Sequence, residues 1–176
     1  MSGFARRTFY VFMINVDVNI AKSSAERKVS QSFIRKVARK TLFLSGKKIN
    51  QLSLSIVLVG EKKIRALNRI YRKKNKPTDI LSFNYSSGYN KKGVEGLPAS
   101  RQKREALLAG ELVLCPDVIA KNARENKVDF SRELAFVLAH GVLHILGWRH
   151  GKKMFDLQDK VVQSLRITNL YEYTNT

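Results

Sequence analysis

Residues 129–150 read DFSRELAFVLAHGVLHILGWRH. From Leu134 to Leu146 apolar side chains run nearly all round a helix, which marks a helix sunk in a core rather than laid on a surface. Asp129 or Ser131 serves as its N-cap, and Glu133 falls in the first turn, where a carboxylate meets the positive end of the helix dipole. Gly147 comes just after the last apolar residue and can take the left-handed conformation that stops a helix and turns the chain back. All three histidines of the chain lie in this stretch, at 140, 144 and 150. Imidazoles on so apolar a helix need partners, because a polar group buried alone is costly.

Around this helix the sequence reads as a compact set of strands and helices. Residues 8–18, TFYVFMINVDV, are rich in aromatic and β-branched types and read as a first strand. Ser23 or Ser24 offers an N-cap for a helix over 25–44, whose Val29, Phe33, Ile34, Val37 and Leu42 approximate an apolar stripe closed by Gly46. LSLSIVLVG (52–60) is a second strand, and EKKIRALNRIYRKK (61–74) a helix with Ile64, Leu67 and Tyr71 on one side, ended by Pro77. TDILSFNY (78–85) and GELVLC (110–115) read as the third and fourth strands, and residues 86–105 as a long polar loop. PDVIAKNARENK (116–127) is a helix with proline at its start, and KKMFDLQDKVVQSLRI (152–167) is the last one. There is no internal repeat and no linker. Strands and helices interleave without strict alternation, so the expected fold is α+β: one domain over 1–176, with helices on a small mixed four-stranded sheet.

Composition narrows the partners. The 176 residues carry 33 Lys+Arg against 14 Asp+Glu, a formal net charge of +19, and such a field draws polyanions. No run approaches the length of a membrane span, and Asn15 and Asp17 interrupt the apolar stretch that follows Arg6 and Arg7, which argues against an export signal. Cys115 is the single cysteine, so no intrachain disulfide forms and a reducing cytoplasm is the expected setting. Within GELVLC it reads as a buried strand residue rather than a nucleophile.

The histidine spacing carries the chemistry. His140 and His144, four residues apart on a helix, leave the same face, and the Gly147 turn lets His150 swing round to the same point. Three converging imidazoles with one position left for water are the arrangement of a catalytic zinc. The pattern H-x-x-x-H-x-x-G-x-x-H is that of the metzincin peptidases with one change. Where their H-E-x-x-H motif has glutamate as general base, this chain has Gly141. Losing such a base costs roughly a hundred- to ten-thousandfold in rate. A metallopeptidase is therefore a minor alternative, and with so basic a chain the natural substrate is a phosphodiester.

HGVLHILGWRH closely resembles the zinc-binding signature of the YbeY endoribonucleases. LNRIYRKKNKPTDILSF resembles that family's other hallmark, an Asn, then Tyr-Arg, then Lys-Pro-Thr-Asp-x-Leu-Ser-Phe, and the resemblance spans about residues 50–165. It implies a zinc-dependent, single-strand-specific endoribonuclease acting in rRNA maturation, at the 3′ end of the small-subunit RNA, and in ribosome quality control. RNA and the ribosomal small subunit or its assembly factors are the implied partners. By position, His140, His144 and His150 become the ligands of one Zn2+, or of another divalent transition metal, since imidazole also suits nickel, copper or iron. Arg72 becomes the arginine facing the metal cleft, so catalysis is expected to depend on Arg72 and His144. A guanidinium suits that role, because its planar fork of donors fits the oxygens on which charge builds. Lys73, Lys74 and Lys76 would track the RNA backbone.

Asp79 and Glu111 are the acids that could orient a ligand or act through water, and Asp79 could equally cap the turn into the third strand. Met154 near the last histidine reads as core packing. Two positions depart from the family pattern. Arg149 stands where the family usually has Asp, so a cation near the metal would favour phosphate or lower metal affinity. Asn84 follows Phe83 where proline is usual. The proton acceptor is open between zinc hydroxide, Asp79 or Glu111 through water, and attack by the RNA's own 2′-hydroxyl. The other alternative is a non-catalytic RNA- or ribosome-binding factor with a structural metal. Residues 86–104 carry no assignable role.

Overall fold

A computed structural model describes residues 13–20, 29–47, 51–85 and 108–167. The elements run β1 (Met13–Ile20), α1 (Gln31–Leu44), β2 (Gln51–Leu58), α2 (Glu61–Arg72), β3 (Ile80–Asn84), β4 (Leu108–Leu114), α3 (Pro116–Glu125), α4 (Phe130–Ile145) and α5 (Lys152–Ser164). The strands lie in the order β1-β2-β4-β3. β1, β2 and β4 run parallel to one another, and β3 runs antiparallel to β4 along one edge. This is an α+β fold with a small mixed sheet.

Strand alternation divides the core in two. Leu54, Ile56 and Leu58 of β2 and Leu112 and Leu114 of β4 join Ile34, Val37, Leu138 and Val142 in one cluster under α1, α4 and α5. Val113 and Cys115 point the other way and meet Leu81, Val59 and Ile64 of α2 in a second, smaller cluster. Burial pushes the Cys115 thiol above its ordinary value, which keeps it an unreactive core residue. Met154 is buried with Leu143 and Leu157.

Several boundaries differ from the sequence reading, two of them at helix ends with a visible cause. α1 starts at Gln31, where the Ser30 hydroxyl accepts the Phe33 amide at 3.3 Å; Ser23 and Ser24 fall outside the described residues, as do 86–105. α2 stops at Arg72, ahead of Pro77, because Lys73 adopts φ +59° and turns the chain away. Tyr71, expected on the buried side of α2, is 40% exposed.

α4 is the buried helix its composition predicts, with Asp129 at the N-cap. Gly147 has φ +80°, Trp148 N–H donates to the Leu143 carbonyl at 3.0 Å, and Gly147 N–H donates to His144 at 2.9 Å. These are the paired bonds of a Schellman stop, and they send residues 148–151 back over the end of α4. Among the described residues, no helix is long and apolar enough to cross a membrane.

Candidate metal centre and cleft

Most of α4 is buried, but Phe136, His140 and His144, spaced i, i+4 and i+8, form a stripe that looks outward. The stop at Gly147 brings His150 round to the end of this stripe. The Nε2 atoms of His140 and His144 lie 3.0 Å apart, those of His144 and His150 3.1 Å, and those of His150 and His140 3.3 Å. No other group of His, Cys, Asp and Glu among the described residues is arranged to hold a metal.

The hydrogen bonds behind these rings decide what the cluster is for. Gln158, fully buried on α5, donates its amide N–H to the Phe136 carbonyl at 3.2 Å. Its oxygen is left to accept from His140 Nδ1, also at 3.2 Å. His144 Nδ1 donates to the Trp148 carbonyl at 3.1 Å. With both Nδ1 atoms protonated, the Nε2 atoms of His140 and His144 present lone pairs to one another. One proton can bridge a pair of them but cannot satisfy all three rings; a single cation can. Tetrahedral zinc with bonds of 2.0–2.1 Å places its nitrogens about 3.3 Å apart, close to the observed spacing. The donor set therefore fits one divalent transition metal. Burial holds the His144 imidazole below its ordinary pKa, neighbouring His140 and His150 push the same way, the Trp148 carbonyl opposes, and the Arg72 charge adds a last small push. His144 thus stays neutral, as a ligand must.

The histidines open into a cleft of about 650 Å³ between α4, β3 and the segment after α2. Arg72, Lys74, Lys76 and Asp79 line it. Asn68, buried on α2, pins this wall: its side chain donates to the Lys76 carbonyl at 2.8 Å and its own carbonyl accepts from Lys74 N–H at 3.3 Å. Arg65 reaches Asn75 at 3.1 Å from outside. Asp79 accepts from the Ile80 amide at 2.8 Å and from the Thr78 hydroxyl at 3.1 Å, so it caps the turn into β3 while facing the cleft.

The other sequence candidates lie elsewhere. Glu111 shares its face of β4 with Val113, opposite to Leu112 and α4, and its carboxylate accepts from the Tyr85 hydroxyl at 3.0 Å. Alternation along the strand therefore turns it away from the histidines. Arg149 is exposed in the turn and lines no part of the cleft. Lys73 spends its backbone on ending α2, and its side chain is absent from the cleft wall. Asn84, in place of the family's usual proline, donates to the Ile145 carbonyl at 2.8 Å and ties the end of β3 to the last turn of α4.

Sequence reasoning assigned no role to Gln158, though a signal was there. In MFDLQDKVV the buried stripe of α5 is Met154, Leu157, Gln158 and Val161, and a glutamine on an apolar stripe needs a partner. Gly141 was legible as the missing glutamate, but its physical reason was not. A Cβ at this position would sit 2.4 Å from Ile80 Cδ1, 3.0 Å from Leu112 Cδ2 and 3.2 Å from Ser82 Oγ. Any side chain at this position must therefore displace residues of the sheet.

The family model described as Endoribonuclease YbeY matches residues 19–166, which hold the three histidines and the residues that line the cleft. The chain belongs to the YbeY endoribonuclease family. The Endoribonuclease YbeY of Lactobacillus acidophilus is 33% identical over 132 residues, covering 70% of this chain and 75% of that protein. That of Thermodesulfovibrio yellowstonii is 31% identical over 170 residues, covering 87% of this chain and 98% of the relative. A Thermotoga maritima protein of known solution structure shares the fold at a TM-score of 0.54, with 26% identity over 92% of this chain and 91% of that one.

Proposed function

We propose that this YbeY-family chain is a zinc-dependent endoribonuclease specific for single strands, acting on the 3′ end of small-subunit rRNA and in ribosome quality control. It would work as one domain in the cytoplasm, alongside the small subunit or its assembly factors. Family membership supports the coarser part, a hydrolase that cuts RNA. One observation supports the metal-dependent part: three imidazoles converge in a cleft that Arg72, Lys74 and Lys76 also line.

In this reading His140, His144 and His150 hold the ion on a metzincin-like helix. When bound, the ion polarises a phosphoryl oxygen and makes hydroxide available from water near neutral pH. Arg72 places a permanent positive fork where negative charge grows on the non-bridging oxygens, and the cleft's partial exclusion of water strengthens that attraction. Lys74 and Lys76, on a segment held by Asn68, hold the flanking backbone. Asp79 is the single carboxylate among the described residues that line the cleft, so of the two acids it is the one placed to take a proton through water. Glu111 is not. The peptidase alternative loses ground, because position 141 is glycine where its chemistry needs a glutamate base.

The test is a matched cleavage assay. Wild type and Arg72→Ala, both folded and with equal zinc content, are incubated with a labelled single-stranded RNA with and without chelator. Wild type alone should cut, and only without chelator; the product ends identify the nucleophile. Binding without cleavage by both proteins would favour the assembly-factor reading instead.

A further inference from the structure

The large apolar side chains exposed among the described residues are Phe43, Ile70, Tyr71, Phe136 and Phe155. Two of them border the metal centre from different sides. Phe136, 40% exposed, lies one turn ahead of His140 on the outward stripe of α4 and lines the cleft. Phe155, 45% exposed, stands in the first turn of α5 with its ring 23° from the plane of His150 and 6.1 Å from it between centroids. One ring therefore flanks the first histidine and the other flanks the third. The facing wall, from α2 and the segment after it, is cationic.

Cations on the cleft wall, Phe136 in the cleft and Phe155 beside His150 at its margin suit a polymer with charged and flat apolar parts. We propose that unpaired RNA bases stack on Phe136 and Phe155, on either side of the cleavage point, while their phosphates lie along Arg72, Lys74 and Lys76. This rests on the ribonuclease reading and adds to it the groups that enforce single-strandedness. Bases within a duplex have both faces covered by their neighbours, whereas an unpaired base offers a face to an aromatic side chain. The competing account is that Phe155 merely shields His150 and Phe136 merely covers α4.

The full-length, metal-loaded protein is titrated into a 2′-O-methyl oligonucleotide carrying 2-aminopurine, whose fluorescence falls on stacking; gel analysis confirms the strand stays intact. Wild type should quench it. Phe136→Ala and Phe155→Ala should each lose part of the quench and bind roughly 5- to 150-fold more weakly, the range stacking supports per base. On a strand abasic at the same sites wild type should weaken and the variants should weaken no further. Zinc affinity should match wild type in both variants, and Phe→Leu substitutions, which keep apolar volume, should recover only part of the RNA affinity. Stacking is overturned if both variants quench fully, if they lose the same factor on the abasic strand, or if zinc affinity alone falls. Should wild type bind and quench yet cut no unmodified RNA, the ribonuclease reading falls while the stacking site stands. Failure of wild type to bind RNA removes both.

Discussion

Replacing Gly141 by alanine adds one methyl group at the point where α4 lies against the sheet. That carbon would fall 2.4 Å from Ile80 Cδ1 and 3.0 Å from Leu112 Cδ2. Carbon atoms pack best at about 3.5–4.0 Å, so both contacts are too close. Ile80 is half-buried and can swing its terminal methyl aside, at an off-rotamer cost of order 0.5–1.5 kcal/mol. Leu112 is fully buried and has nowhere to go. Overpacking of this kind costs about 1–3 kcal/mol, while alanine for glycine inside a helix returns about 1 kcal/mol. The expected balance is a loss of about 0–2 kcal/mol, read as a lower urea midpoint at unchanged slope. Ile80→Val deletes the offending Cδ1 atom and by itself costs about 0.5–1.5 kcal/mol. Combined with Gly141→Ala it should recover part of that loss, so the double variant is more stable than the two single losses predict. Strict additivity in the double variant would refute the close approach.

Gln158→Leu removes the acceptor that orients His140 and should lower zinc affinity about 10- to 100-fold in a chelator competition, while Gln158→Glu, which still accepts from Nδ1, should keep most of it. Equal affinity in all three proteins would mean that the His140–Gln158 bond has no hold on the metal. Burial pushes the Glu133 carboxyl above its ordinary value; the Asn126 hydrogen bond opposes this and Asp79 adds to it. The native state then binds this proton more tightly than the unfolded chain, so this group's contribution to stability falls as pH rises from the ordinary glutamate value through the raised one. Glu133→Gln carries no such loss, and its melting temperature relative to wild type should climb between pH 4 and pH 7; a constant gap would show that the folded carboxyl titrates as an ordinary one.

The parts of the fold governed by local pattern could be read directly. The apolar run of α4, the Gly147 stop and the histidine spacing are one-dimensional signals, and each has its counterpart in three dimensions. What sequence could not supply is which face a residue takes once a strand joins a sheet. Glu111 and Asp79 looked alike as acids near family motifs, yet the pairing of β4 turns one toward Tyr85 and the cap at the start of β3 turns the other into the cleft. Likewise Lys73, Lys74 and Lys76 formed one charge run until Lys73 was taken by the helix stop. Gln158 lies on a different helix from the ring it orients, and no spacing rule connects the two.

Asn84 and Gly141 bring β3 close against α4 beside the cleft. A metal-holding helix needs its first and second histidines fixed relative to the cleft floor. Here the floor is β3, which Ile80 and Ser82 press against Gly141 and which Asn84 ties to the carbonyl of Ile145. With the strand this close, a side chain at position 141 would have to displace Ile80 and Leu112, and the positive charge near the histidines comes from across the cleft. That side supplies Arg72, Lys74 and Lys76. Glycine at 141 thus suits the close contact of helix and strand and supplies no peptidase base, while the opposite wall carries cations suited to a polyanion.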